Sequence, residues 1–287
     1  VTPDAANLRG SLFMVAAMAG FAVEDAFLKA ATHEVAVGLA LVILGLAGVV
    51  VFSAVALRAG TMPLPRSILS RTMALRSGFE IVGRLFYALA IALTPISTAS
   101  AILQATPLVV VLGAAVIFGE RIGWWRWALI LLGFAGVLVI LRPGIEGFSA
   151  LSLLALTAMV GFAGRDLATR AAPLALSNAQ LGVTGFIMLT LSGVIILTVT
   201  GGATVPSPAT LGLLAGASLF GILAYAALTQ AMRTGAVGVV TPFRYSRLLF
   251  AAVLGIGVFG ERPDAATLAG SALVVACGII LLTRRDL

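Results

Sequence analysis

The chain is written as a succession of apolar runs of about twenty residues, separated by short turns rich in Arg, Pro and Gly, and this rhythm restricts the fold more than any motif does. A helix that spans a bilayer needs ~20 predominantly apolar residues. Ten runs meet that length, at 8–31, 35–57, 69–93, 96–118, 124–141, 149–171, 176–200, 209–232, 236–259 and 265–283. The longest connection is the Arg58–Arg66 stretch with Pro63 and Pro65, while Arg142–Gly147 and Gly201–Pro208 read as turns. With 61% hydrophobic and 10% charged residues and a mean hydropathy of +1.14, the chain holds more apolar surface than a soluble interior could bury. The expected fold is therefore all-α: a polytopic membrane protein of ten transmembrane helices.

The net charge of +7 then reads as orientation rather than as affinity for nucleic acid, for which no motif is present. With both ends on the same side, Arg9, Arg58, Arg66, Arg71, Arg76, Arg121, Arg126, Arg170, Arg233, Arg284 and Arg285 fall at or near one face. Only Lys29, Arg142 and Arg262 fall at the other. The positive-inside rule places both termini in the cytoplasm. Trp124, Trp125 and Trp127 stand where the fifth run begins, as an interfacial anchor. The first run carries Glu24 and Asp25, unlike a signal peptide. One cysteine, Cys277, excludes a disulfide within the chain and a multi-cysteine metal site, one histidine, His33, excludes a His-x-x-x-His zinc centre, and no metal is expected. Lys29 follows Ala26-Phe27-Leu28 rather than a glycine loop, so no phosphate-binding loop is present and no ATPase subunit is implied. Without a nucleophile-base pair or a Gly-x-Ser-x-Gly elbow, an enzyme is not expected, and neither is a cofactor.

The sequence repeats itself. Ala17-Met-Ala-Gly-Phe-Ala-Val-Glu-Asp25 aligns with Ala158-Met-Val-Gly-Phe-Ala-Gly-Arg-Asp166, and Phe118-Gly-Glu-Arg121 with Phe259-Gly-Glu-Arg262, both at an offset of 141. A constant offset across distant motifs marks two copies of five helices, residues 1–145 and 146–287. Five is odd, so the second copy enters the membrane inverted, the architecture of alternating-access transporters. Since one chain holds both halves, a monomer suffices.

Each copy ends its fourth helix in a Gly-Glu pair (Gly119-Glu120, Gly260-Glu261), followed by a last helix with glycines (Gly133 and Gly136; Gly270 and Gly278). This pattern resembles the drug/metabolite transporter superfamily, its EamA type, and over nearly the whole chain is similar to the YddG-type exporters of aromatic and other neutral amino acids. The resemblance implies a ten-helix bundle in a bacterial inner membrane, with a cavity lined by the first, third and fourth spans of each half. Pro107 departs from the repeat, because its mate is Leu248 and the ninth span has its proline at Pro242.

Charges inside a bilayer are costly, and each is a functional candidate. Arg76, Glu80 and Arg84, continued by Tyr87, recur every fourth residue along one face of the third span, as a structural ladder or a cavity lining. Arg244, Tyr245 and Arg247 follow Thr241-Pro242, where proline frees a backbone carbonyl. The repeat mates Arg84/Tyr225 and Gln104/Tyr245 suggest two lines of residues facing a shared interior. Asp25 stands four residues before Lys29 and Asp166 four before Arg170, so these four read as structural ion pairs. Glu24 and Arg165, the remaining mates, carry opposite charges, and Phe21 and Phe162 are mates that could line a cavity. Gly45/Gly48, Gly133/Gly136 and Gly212/Gly216 read as close helix packing.

A mixed interior with a slight positive excess suits a zwitterion. The expected function is a secondary transporter that exports neutral, including aromatic, amino acids. Glu80, Arg84, Tyr87, Gln104, Tyr225, Arg244, Tyr245 and Arg247 would bind substrate: Arg244 or Arg84 its carboxylate, Glu80 its ammonium. Glu24 or Glu80 would serve ion coupling, and Pro107 and Pro242 would be hinges. The alternatives are an exchanger of anionic metabolites such as sugar phosphates, or an efflux pump for drugs and lipophilic cations.

Overall fold

In the computed structural model, residues 3–93, 102–141, 151–202, 204–259 and 265–283 are described, and all their regular structure is helical. Helix α1 is Pro3–Ala31, α2 Val37–Arg58, α3 Arg71–Leu93, α4 Thr106–Phe118 and α5 Trp124–Leu141. The second half contributes α6 Ser152–Arg170, α7 Asn178–Thr200 and α8 Pro208–Met232. The ninth run comes in three pieces, α9 Val237–Val240, a 3-10 turn Thr241–Tyr245 and α10 Ser246–Phe259, before α11 Ala265–Thr283.

Local chemistry sets several boundaries. Ser177 and Gln180 form a reciprocal capping box at the start of α7, and Ser207 caps α8 ahead of Pro208. Gly119 ends α4 in the left-handed conformation, φ 66°, which glycine adopts without a Cβ penalty. Pro107 sits in the first turn of α4, just after a turn at Gln104–Ala105, and Pro242 lies in the 3-10 turn. Neither interrupts a continuous α-helix, because each stands where an N–H has no helical partner. Gln104 and Tyr245 are repeat mates. The fourth and ninth spans are thus broken at the same level although their prolines do not correspond. The Glu261 and Arg262 copy of the Gly-Glu motif, Arg142, Arg284 and Arg285 lie outside the described residues.

Among the described residues four helices, Asp4–Ala31, Val37–Arg58, Asn178–Thr200 and Pro208–Met232, are long and apolar enough to cross a membrane by themselves. Thr106–Phe118, Trp124–Val139 and Leu268–Ile280 are shorter apolar helices. Side chains such as Val50, Val116, Val199 and Leu223 are exposed on the outside, while Arg76, Glu80, Arg165 and Asp166 are buried. Apolar outside and charged inside is the order expected when the surrounding solvent is lipid. Trp124 and Trp125 are exposed and stacked, with ring centroids 3.9 Å apart, at the start of α5.

The principal helix pairings all join one half to the other: α2 with α7, α1 with α8, α3 with α6 and α5 with α11. An offset of 141 turns the α1/α8 pair into α6/α3 and maps the other two pairs onto themselves. Small residues set the closest crossings. A Cβ added to Gly161 would stand 2.6 Å from the Gly83 nitrogen, and one on Gly20 would stand 2.9 Å from the Ala224 Cβ. These two crossings are repeat mates of each other. Gly45, Gly48, Gly133, Gly136 and Gly216 also meet a neighbouring helix closely, whereas Gly212 has nothing within 4 Å and does not take the packing role expected of it.

Polar contacts identify the two ends of the bundle. At the arginine-rich end, Asn7 Oδ1 accepts the Ala236 N–H at 2.8 Å, and the Glu120 carboxylate accepts the N–H groups of Val237 and Gly238, both at 3.2 Å. At the same end, Arg233 donates to the Leu176 carbonyl at 2.7 Å and to Asn178 Oδ1 at 2.8 Å. At the opposite end Glu34, in the α1–α2 turn, accepts from the Ser207 N–H at 2.7 Å, the Ser207 hydroxyl at 2.8 Å and the Thr210 hydroxyl. Helix α1 therefore starts at the arginine-rich end, and its repeat mate α6 finishes there.

The Thr210 hydroxyl, with the Ser207 N–H and hydroxyl, holds the Glu34 carboxyl below the usual carboxylate range. Because the folded value is the lower one, this contribution to stability is present above the unfolded pKa of about 4.3 and is lost as pH falls through the folded value. In detergent the wild type should melt above Glu34→Gln at pH 7, and the gap should close as pH drops below about 4. A gap independent of pH would contradict the assignment.

Candidate functional site

The interior charges are arranged around Glu80 of α3, which is 0% exposed. Its Oε1 accepts from Arg84 Nε, one turn along α3, and from an Arg165 guanidinium nitrogen of α6, each at 3.2 Å. Its Oε2 accepts from the Tyr225 hydroxyl of α8 at 3.0 Å. Arg76, one turn below, donates to that hydroxyl at 2.7 Å, to Thr169 Oγ1 at 2.9 Å and to Thr184 Oγ1 at 3.1 Å. One carboxylate thus ties α3 to α6 and α8, and Arg76 extends the tie to α7. All three nitrogens of Arg76 thus have a partner, as burial of charge requires.

The network continues toward the ninth span. Arg165 also pairs with Asp166, at 2.8 Å, and the other Asp166 oxygen takes Arg244. Arg247, nearly one turn on from Arg244, pairs with Asp25 and lies 5.5 Å from the centroid of the Phe21 ring. Asp25 and Asp166, which are repeat mates, therefore both hold arginines of the ninth span. Their expected partners Lys29 and Arg170 form no ion pair with them among the described residues: cross-helix geometry prevails over i,i+4 spacing. A signal was present in the sequence, in two acids at the repeat offset and two arginines three residues apart.

These groups border a cavity of about 220 Å³. Its lining includes Glu24 and Asp25 of α1, Arg84 and Tyr87 of α3, Gln104, Phe162 and Arg165 of α6, and Arg244 and Arg247. Leu28, Val37, Leu41 and Leu103 carry the lining toward the end where Glu34 sits. Toward the arginine-rich end the space is filled by a core that includes Met14, Met18, Val110, Leu167, Leu228 and Met232. The described lining thus extends away from the arginine-rich end, where a packed core closes the space. Phe21 and Phe162 supply aromatic walls, with Tyr87 edge-on to Phe162 at 6.1 Å between centroids.

Among the candidates read from sequence, Arg84, Tyr87, Gln104, Arg244 and Arg247 line this cavity, and Glu24 does as well. Glu80 and Tyr225 do not: they stand behind it, consumed by the network, so Glu80 is not free to meet an ammonium. Tyr245 turns away, packing on Gly133 and facing a separate apolar crevice with Cys277, where its hydroxyl makes no hydrogen bond among the described residues. The repeat pairs Arg84/Tyr225 and Gln104/Tyr245 therefore do not face one shared interior. The lining also differs from the expectation of first, third and fourth spans in each half, since α2 contributes and α8 does not. Thr169 and Thr184, which anchor Arg76, had no distinguishing mark in the sequence.

Fold and cavity together define a multi-pass membrane protein with a charged internal chamber. The EamA-like transporter family matches residues 8–142 and again residues 147–284, and the chain belongs to that family. It is similar to the riboflavin transporter of Rhizobium johnstonii, with 29% identity over 67% of this chain and 63% of that protein. It is also similar to the S-adenosylmethionine uptake transporter of Rickettsia bellii, at 26% over 68% of this chain and 66% of that one. The pseudopaline exporter of Pseudomonas aeruginosa is 30% identical over 70% of this chain and 72% of its own length. The matched stretches thus span just under two thirds of the first two relatives. A solved crystal structure shares the fold, with a TM-score of 0.80 and 21% identity over 98% of both chains.

Removing the Glu80 charge strands Arg84 and part of Arg165 inside the bundle. Glu80→Gln should cost about 3–5 kcal/mol of stability, the range for breaking one partner out of a buried pair. Thermal unfolding in detergent measures it, and a variant as stable as the wild type would remove Glu80 from the centre of the network.

Proposed function

We propose that the chain is a secondary transporter of the bacterial inner membrane that carries small zwitterionic metabolites of the neutral amino acid class, aromatic ones included, by alternating access. The observation that carries this reading is the lining of the cavity: four arginines, two acids and aromatic walls around about 220 Å³. Arginine holds a carboxylate in a bidentate fork, a carboxylate holds an ammonium, and aromatic walls accept a side chain. The volume is below the about 300–1,000 Å³ of drug-sized sites, which favours a solute of amino acid size over a large drug.

The alternative of a bare anion such as a sugar phosphate rested on the excess of arginine. The two acids in the lining, Glu24 and Asp25, weaken that alternative, because they would repel a bare anion. S-adenosylmethionine, the substrate named for one relative, carries an α-amino carboxylate, which also favours a zwitterion. Export is the direction taken from the resemblance to amino acid exporters.

The two halves, 1–145 and 146–287, serve as the inverted units. The reading is supported by the pairings that repeat under the 141 offset and by the opposed courses of α1 and α6. With the arginine-rich end in the cytoplasm, both termini are cytoplasmic and the packed core closes the chamber on the cytoplasmic side. Breaks at Gln104–Ala105 and Thr241–Tyr245 give the fourth and ninth spans places to bend, beside Pro107 and Pro242. Bending there carries Arg244 and Arg247 relative to Asp166 and Asp25, so the ion pairs that line the chamber change with its access.

Flux of labelled phenylalanine and threonine into proteoliposomes, with and without a pH gradient, tests the reading. Saturable flux of either above empty vesicles is expected. No flux from folded protein, or equal competition by a sugar phosphate, would overturn it. Arg244→Ala should cut flux at least about tenfold, the value of a charge-assisted hydrogen bond, without loss of folding.

A further inference from the structure

We propose that Glu24 is the residue that reads a positive charge on the substrate, so that the chamber admits an amine-bearing solute and rejects its deaminated analogue. The inference rests on the proposed transport of zwitterions and names the group that makes it selective.

The charges that line the chamber are not equivalent. Arg84 and Arg165 are bound to Glu80, Arg165 and Arg244 to Asp166, and Arg247 to Asp25. Every lining arginine and the other lining acid are therefore engaged. Glu24 lines the same chamber with no hydrogen bond and no ion pair to any described residue. The absence of a partner has a structural cause. Its carboxylate lies over Gly221 of α8, where an added Cβ would stand 2.8 Å from the Glu24 Cδ and Oε1, so the surface behind it is bare backbone without a donor. Within a helix, backbone N–H groups are already spent on the i−4 carbonyls. Arg84 and Arg247 act on this carboxylate electrostatically, but each makes its direct contacts elsewhere, with Glu80 and Asp25. A carboxylate at membrane depth without a direct partner is unfavourable, and an incoming ammonium relieves that by a charge-assisted hydrogen bond.

The mate of Glu24 is Arg165, and both line the chamber. One duplicated position has become a negative pole in the first half and a positive pole in the second. A zwitterion matches such a pair of poles, its ammonium toward Glu24 and its carboxylate toward the arginines. The i+1 neighbour Asp25 is held by Arg247 and does not compete.

The test uses purified protein in liposomes, with labelled phenylalanine and three competitors: phenylalanine, phenethylamine, which lacks the carboxylate, and 3-phenylpropionate, which lacks the amine. For the wild type, both amines should compete and 3-phenylpropionate should be at least tenfold weaker. In Glu24→Gln, which keeps the side-chain shape, competition by both amines should weaken at least tenfold while that by 3-phenylpropionate holds, so that discrimination collapses. Gly221→Ala, which displaces the carboxylate and keeps its charge, should move the same way. Retained discrimination in folded Glu24→Gln would overturn the proposal, and so would an equal loss for all three competitors together with loss of the pH-gradient response, which would make Glu24 a proton site instead. Ligand-induced thermal stabilisation separates this from the parent reading. If the wild type carries no phenylalanine, the amino acid reading fails, whereas stabilisation by phenethylamine that disappears in Glu24→Gln still upholds the Glu24 assignment, and its persistence in the variant defeats it.

Discussion

A carboxylate with no access to water inside a bilayer must be matched atom by atom, and the interior of this protein is organised by how Glu80 meets that demand. Two arginines and a tyrosine from three helices converge on its two oxygens. Two of these donors have further partners: Arg165 reaches Asp166, which in turn holds Arg244, and the Tyr225 hydroxyl receives Arg76. A chain of alternating charges therefore runs from the packed helices α3, α6 and α8 to the break in the ninth span. Such a network does not guarantee stability, since apolar packing could equal it, but it fixes where the helices stand relative to one another.

The duplication supplies a common scaffold and then departs from it in the charged positions. Glycine crossings at Gly20/Ala224 and Gly83/Gly161 are copies of each other. The side chains that project near them are not: Glu24 stands where the other copy has Arg165, and Arg84 where the other copy has Tyr225. Geometry is preserved where backbones touch, because a Cβ would not fit. Chemistry is free to diverge where side chains meet a chamber, and the divergence leaves Glu24 without an ion pair to any described residue.

Much of this architecture is legible in the amino acid sequence. Run length and apolarity give the helices, because lipid demands about twenty apolar residues per crossing, and the constant offset of the two motifs gives the halves. The placement of individual side chains is less legible. Arg76, Glu80, Arg84 and Tyr87 share a helical stripe, yet only its upper part reaches the chamber, since depth along the helix decides between cavity and core. Local spacing pairs Asp25 with Lys29 and Asp166 with Arg170, but the arginines of the ninth span reach both acids from across the bundle. Tyr245 follows the pattern of a lining residue yet lies in the 3-10 turn Thr241–Tyr245, where the side-chain spacing is not that of an α-helix, and is buried against Val137 and Val274 away from the chamber.

The central claim is that a zwitterion sits in the chamber between Glu24 and the arginines, with Glu80 behind as structure. An experimental structure of the protein with phenylalanine bound tests it most directly. The account predicts density in the chamber bordered by Phe21, Tyr87 and Phe162, with the ammonium against Glu24 and the carboxylate toward Arg84, Arg165 or Arg244. Density in the apolar crevice beside Tyr245 and Cys277, or an ammonium bound to Glu80 with the network broken, would contradict it.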